Sequence, residues 1–291
     1  MPALSHVANA VVSGMLTGTV YGLMALGLSA IFGVIRLVNF AHGELMTLAM
    51  YAAVAVFQGL ALDPFLTMTG VALAFGGLGY ALQRGFINRF VHRAEHAQML
   101  LMISLAIIIG NLLLLGFGPD ARNVQTSYQL DSFELGPLLL DKVRVFAAAA
   151  AIVTTGLLAA FFRFTLTGKA IRACADNPVG ARVAGLPVAH LYAVTFGIGA
   201  GSVAVAGCAM VQLIDVTPGL GPSYTLLAFI IVIVGGLGSM VGALLGGLVI
   251  GVSEALAGLL IAPSAKSMVS FGLLVLLLLA RPQGLMGAGR R

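Results

Sequence analysis

The sequence predicts an all-α fold, a polytopic integral membrane bundle of about eight or nine helices with glycine-broken segments. Three observations predict it. Of the 291 residues, 60% are hydrophobic and 9% charged, whereas a soluble domain carries roughly 25% charged residues. Apolar runs long enough to cross a bilayer as helices, about 20 residues each, recur from end to end. The short alternating segments of a membrane β-barrel do not occur, and a helical bundle is the other way to satisfy backbone polar groups in lipid.

The expected spans, in order, are Ala8–Ile35, Ala41–Leu62, Phe65–Leu82, Met99–Phe117, Val145–Phe162, Leu191–Ile214, Tyr224–Leu237, Met240–Ile261 and Ala265–Ala280. The first run, in MPALSHVANAVVSGM, lacks a basic leader and a cleavage site, so it is expected to stay in the protein. Arg84, Arg89 and Arg93 fall between the third and fourth spans. Arg163, Lys169, Arg172 and Arg182 fall between the fifth and sixth, and Arg281, Arg290 and Arg291 follow the last. The positive-inside bias places all three groups in the cytoplasm. Gly118–Lys142, with Asp120, Asp131, Glu134 and Asp141, reads as external together with Asp215–Ser223. An odd number of spans then leaves the N-terminus outside and the C-terminus inside. The net charge of +5 comes from these inter-span residues, not from a basic patch interleaved with aromatics, so nucleic acid is not an expected partner. Cys174 and Cys208 are expected to be free thiols. With no soluble stretch beyond about 25 residues, residues 1–291 read as a single membrane domain.

Glycines at four-residue spacing, Gly14, Gly18 and Gly22, then Gly238, Gly242 and Gly246, and Gly197 with Gly201, predict seams where helix backbones approach closely. In GGLGSMVGALLGG, residues Gly235, Gly236, Gly238, Ser239, Gly242 and Gly246 mark a break between two short segments, which membranes tolerate where it lines a cavity.

NFAHGEL sets Asn39, His42 and Glu44 between two apolar runs. A charged group at the centre of a span costs roughly 2.5–3.5 kcal/mol on insertion scales, so it faces a partner or a solute path. The same residues also suit a helix start at the interface, with Asn39 as N-cap and Arg36 just before it. Ser104, Asn111, Gln212 and Glu254 are further polar groups inside spans, either inter-helix hydrogen bonds or pathway contacts. The loop of residues 163–190 contains TGKAIRACADNPVGARVAGL. Asn177-Pro178 opens a short helix, Val179–Ala184, closed by Gly185 and Pro187. That is a shape suited to a groove on a partner, although an ordinary basic cytoplasmic loop has the same composition.

Enzymatic motifs are incomplete. His42-Gly43-Glu44 gives H-x-E without P-C-x-x-C, so no metal is expected. Gly168-Lys169 lacks the earlier glycine, Arg163 standing there, and is followed by Ala170, so no nucleotide is expected. An intramembrane serine hydrolase would need more than Gly27-Leu28-Ser29-Ala30 and His190. A secondary transporter would have only Glu44 and Glu254 as ion-coupling carboxylates.

GLMALGLSAIFGVIRLVNFAHGELMTLAMY, LLMISLAIIIGNLLLLGFGPD, GKAIRACADNPVGARVAGLPVAHLYAVTFGIGAGSVAVAG, DVTPGLGPSYTLLAFIIVIVGGLGSMVGALLGGLVIGVSEAL and the terminal RPQGLMG cover nearly the whole chain. In these stretches the chain resembles the smaller permease of bacterial ABC importers for branched-chain amino acids. It departs from that pattern at Val241, where proline is common, and at Leu227, where a basic residue is common. The resemblance implies an inner-membrane permease that is not itself an enzyme. It would pair with a second, larger permease, sit on two ATPases that bind ATP and magnesium, and receive cargo from a periplasmic binding protein. It also implies that residues 163–190 are the coupling loop, with Lys169, Arg172, Asp176, Asn177, Arg182 and Gly185 at the ATPase, and that Asn39, His42, Glu44, Ser104 and Asn111 lie near the pathway. Urea or short amides are the alternative cargo; a sugar is more remote.

Overall fold

A computed structural model describes residues 2–136 and 138–286; Arg290 and Arg291 of the basic tail lie outside them. The helices are α1 (Pro2–Ile35), α2 (His42–Leu60), α3 (Pro64–Gly85), α4 (Glu95–Phe117), α5 (Lys142–Phe164), α6 (Leu166–Asp176), α7 (Pro178–Val183), α8 (Val188–Met210), α9 (Gly221–Gly235), α10 (Met240–Leu260) and α11 (Lys266–Ala280). Among the described residues nine of these segments are long and apolar enough to cross a membrane, α6 and α7 being the exceptions. Every expected span is therefore a helix, with ends displaced by a few residues.

Local chemistry sets several of the ends. Asp63 accepts a hydrogen bond from Phe65 N (2.7 Å) with Pro64 at the first helical position of α3, and Asp141 accepts from Arg144 N (3.2 Å) to start α5. Each satisfies a helix-start donor that lipid would leave bare.

α1 and α8 form the centre, and α8 is buried along nearly its whole length. α10 lies antiparallel along α1. Gly14, Gly18 and Gly22 face Gly251, Gly247 and Leu244 there, and a Cβ on Gly18 would stand 2.7 Å from the Gly247 carbonyl oxygen. The contact is backbone against backbone, which is how helices gain dispersion energy where water supplies no driving force. Gly197 and Gly201 of α8 meet Gly76 and Ala72 of α3 in the same way. The second predicted row is placed differently: Gly242 and Gly246 pack against Gly235 and Ile231 of α9, while Gly247 and Gly251 serve α1.

Residues 235–239 form a tight turn between α9 and α10, not a cavity-lining break. Gly236 (φ 107°) and Gly238 (φ 81°) adopt backbone that disfavours side chains. Ser239 Oγ accepts from Gly242 N (3.0 Å) to start α10, and Leu285 N and Met286 N donate to Val234 O and Gly235 O, closing the turn with the tail.

The segment between α4 and α5, expected to be external, holds a structure absent from the sequence-based expectation. β1 (Ser132–Leu135) and β2 (Leu138–Asp141) pair antiparallel, Ser132 opposite Asp141, turning at Gly136 (φ 62°). Leu139 N donates to Asn9 Oδ1 of α1 (3.1 Å), laying the hairpin on the bundle. Beside it, Tyr128 bonds both Asp63 and Gln212 Oε1, and Gln129 Nε2 reaches Gln212 O (3.2 Å), so Gln212 ties this segment to the end of α8. Burial and the adjacent Asp63 carboxylate push the Tyr128 phenol up to about 12, which keeps it a neutral donor.

Candidate functional site

α1 ends at Ile35, and Arg36 (φ 57°) turns the chain out of it. The chain then runs without helix until α2 begins at His42. His42 Nε2 lies 2.9 Å from Met24 O, eleven residues short of the end of α1, a rise of roughly 16 Å. Residues 36–41 therefore climb back into the bundle, and α2 starts deep inside it. Because the partner is a carbonyl, Nε2 carries the proton and Nδ1 is left as an acceptor.

A second helix begins at the same place. α9 follows a non-helical stretch from Leu213 to Thr217 and a short 3₁₀ turn, Pro218–Leu220. Thr225 in its first turns accepts from Gly43 N (2.9 Å) and donates to Phe40 O (3.3 Å). A residue of α9 thus caps α2. This differs from the expected Asn39 N-cap: Ala41 holds the cap position without a side-chain bond, and Asn39 Oδ1 accepts from Ala41 N (3.1 Å) just outside the helix.

Glu44, in the first turn of α2, rests between Gly110 of α4 and Gly221, the first residue of α9. A Cβ on Gly221 would overlap its carboxyl group. A carboxylate near two helix N-termini is electrostatically favoured. Asn39, His42 and Glu44 are all buried, yet Asn39 Nδ2, His42 Nδ1 and Glu44 Oε2 have no hydrogen-bond partner among the described residues. Buried polar atoms are ordinarily paired, so three orphans at one junction mark it as a site able to receive polar groups. Thr225, Gly221 and Gly110 complete the site and were not expected; the GLGPSYT stretch carries the only hint, a proline-marked helix start.

Ser104 and Asn111 are not part of this cluster. Both lie on the exposed side of α4 and bond their own helix, Ser104 Oγ to Leu100 O (2.7 Å) and Asn111 Nδ2 to Ile107 O (2.8 Å). His190 Nδ1 pairs with the Tyr80 hydroxyl (3.0 Å), and Ser29 is sealed inside α1, so the residues of the hydrolase alternative do not meet as a catalytic pair.

Residues 163–190 contain more helix than expected. Thr165 caps α6 through Gly168 N (2.9 Å), and α6 buries Gly168, Ile171 and Cys174 while exposing Lys169, Arg172 and Asp176. Asn177 Oδ1 accepts from Gly180 N (2.9 Å) with Pro178 at the first position of α7, as the sequence predicts. Gly185 (φ 81°) ends it, with Leu186 N returning to Ala181 O (3.0 Å). Asn177, Arg182 and Gly185 are exposed, as are the apolar side chains of Val179 (72%) and Val183 (86%).

A profile described as "Branched-chain amino acid transport system / permease component" matches residues 10–278. The chain is 28% identical over 300 residues to the high-affinity branched-chain amino acid transport system permease protein BraD of Pseudomonas aeruginosa, covering 99% of this chain and 98% of BraD. It is 30% identical over 294 residues to the corresponding permease LivH of Escherichia coli, covering 94% of each. A chain of PsaBC from Streptococcus pneumoniae, solved in complex with Fab, shares the fold with a TM-score of 0.52 at 14% identity, over 93% of this chain and 91% of that one.

Proposed function

The chain belongs to the family of branched-chain amino acid transport permeases, and on that premise we propose that it is the smaller membrane subunit of an ATP-driven importer for those amino acids in the bacterial inner membrane. It is a transport subunit and not an enzyme. The whole chain acts as one permease unit beside a second, larger permease. Two ATPases dock beneath the permease pair, residues 163–190 of this chain forming the coupling loop to an ATPase, and an external binding protein delivers cargo on the opposite side.

The observation that carries the docking is α7: a helix capped at both ends, set on a basic segment, that exposes Val179 and Val183 on the side where Arg84, Arg89 and Arg93 also lie. Exposed apolar groups with basic neighbours suit a groove on a partner protein. Closure of the ATPases around ATP moves α6 and α7. The motion passes through α5 and α8, between which they are strung, to the junction where α2 and α9 begin. There Asn39, His42 and Glu44 line the path, and parting of the Gly43–Thr225 contact opens it.

Uptake of radiolabelled leucine in cells with and without the gene tests the cargo, with excess isoleucine, valine, urea or ribose as competitor. Loss of uptake on deletion, and competition by isoleucine and valine alone, is the expected result. Gene-dependent uptake of urea in place of leucine would overturn it.

A further inference from the structure

We propose that a cavity between α1, α9, α10 and α11 holds the amino acid cargo by its two charged ends, Glu254 taking the ammonium and Lys266 the carboxylate. The proposal rests on the importer reading above and specifies where in this chain the zwitterion is recognised.

The cavity measures about 300 Å³, at the lower end of the range for small-ligand pockets. Glu254 of α10 lines it. Its Oε1 accepts from Ser270 Oγ of α11 (2.8 Å), and Tyr21 of α1 lines the same cavity. Ser270 is a neutral donor, which orients a carboxylate without cancelling its charge. Lys266 lines the same cavity from the first turn of α11. Its stem lies over Gly258, where a Cβ would stand 2.9 Å from Lys266 Cε. The two ion pairs among the described residues, Lys142–Asp131 and Arg144–Asp141, use neither Glu254 nor Lys266. An acid and a base therefore face one cavity with neither spent on the other. Intramembrane carboxylates are rare and mark solute paths when no cation neutralises them.

The remaining wall fits the third part of the ligand. Leu227, Ile230 and Phe271 give an apolar face for an aliphatic side chain. Urea, which carries no charge, would leave both ionic groups unanswered. The position suits a receiving site. Glu254 and Tyr21 each lie fourteen residues from the cytoplasmic ends of α10 and α1, about 21 Å up, and Lys266 sits at the opposite, external end of α11. The junction at Glu44 would then follow.

A zwitterionic lipid headgroup carries the same pairing of ammonium and anion, so the test separates the two sources. The transporter, assembled with its partner subunits, is reconstituted in vesicles of phosphatidylglycerol alone, which carries no ammonium. Equilibrium binding of radiolabelled leucine is measured without binding protein or ATP, and leucine uptake with both. Glu254→Gln and Lys266→Gln are each expected to weaken leucine binding at least tenfold, and Lys266→Arg to retain it. Binding of leucinol, which lacks the carboxylate, should fall in Glu254→Gln and stay unchanged in Lys266→Gln. Wild-type leucine binding in both neutral variants overturns the proposal. So does a loss of uptake that appears only when phosphatidylethanolamine is present, which assigns the cavity to lipid. If Glu254→Gln fails to assemble, the exposed Lys266 carries the test, and unchanged binding in Lys266→Gln overturns the proposal by itself. A wild-type transporter that does not import leucine at all defeats the importer reading, whereas normal import with insensitive variants defeats only this site.

Discussion

Glu44 is the one buried carboxylate among the described residues: it is 5% exposed, and its neighbour Gly221 leaves no space for a side chain of its own. Glu44→Gln preserves its shape and removes its charge. We expect the variant to assemble at wild-type levels and to lose leucine uptake at least tenfold, measured in vesicles matched for transporter content; failed assembly would make Glu44 a structural pin instead. Asn39, His42 and Glu44 were legible in the sequence because strong polarity stands out in a charge-poor chain. Thr225 was not, because its bond to Gly43 spans 182 residues, and a threonine in an apolar run has no local signature. Ser104 and Asn111 were legible as polar positions, but α4 is apolar all round and nothing in its pattern says which face turns inward.

The helices owe their arrangement to glycine as much as to apolar bulk. Gly18→Leu would drive a side chain into the α10 backbone, and overpacking of this kind costs about 1–3 kcal/mol. We expect a lower thermal unfolding midpoint for that variant of the detergent-purified transporter, and little change for Gly70→Leu, whose surroundings are open. An unchanged midpoint in Gly18→Leu would show that the seam is slack. The four-residue spacing made the α1 row visible. GGLGSMVGALLGGLVIG carries two overlapping glycine registers, however, and only tertiary contact separates the one that serves α9 from the one that serves α1. The hairpin of β1 and β2 escaped notice because four-residue strands are too short to establish a period against so apolar a background. α6 escaped notice because its eleven residues bury so few apolar positions.

At the scale of the molecule, the nine helices among the described residues that are long and apolar enough to cross a membrane alternate so that residues 163–190 and the α9–α10 turn share one side, with the hairpin and the Gln212 cluster on the other. Alternation and charge bias together made this layout legible from the sequence, since both depend on long segments and not on single contacts. The docking side makes a specific prediction. Val179→Asp combined with Val183→Asp should leave the bundle folded but release the ATPases, read as loss of their co-purification and of ATP-driven uptake; retained co-purification would place the docking surface elsewhere. The distance along the chain between Gly43 and Thr225 also bears on how the protein is made. At about 5–20 residues per second of synthesis, α2 waits some 10–35 s for the residue that caps it. Throughout that interval the Gly43 amide lacks its partner, so the nascent protein depends on a late residue to finish an early helix.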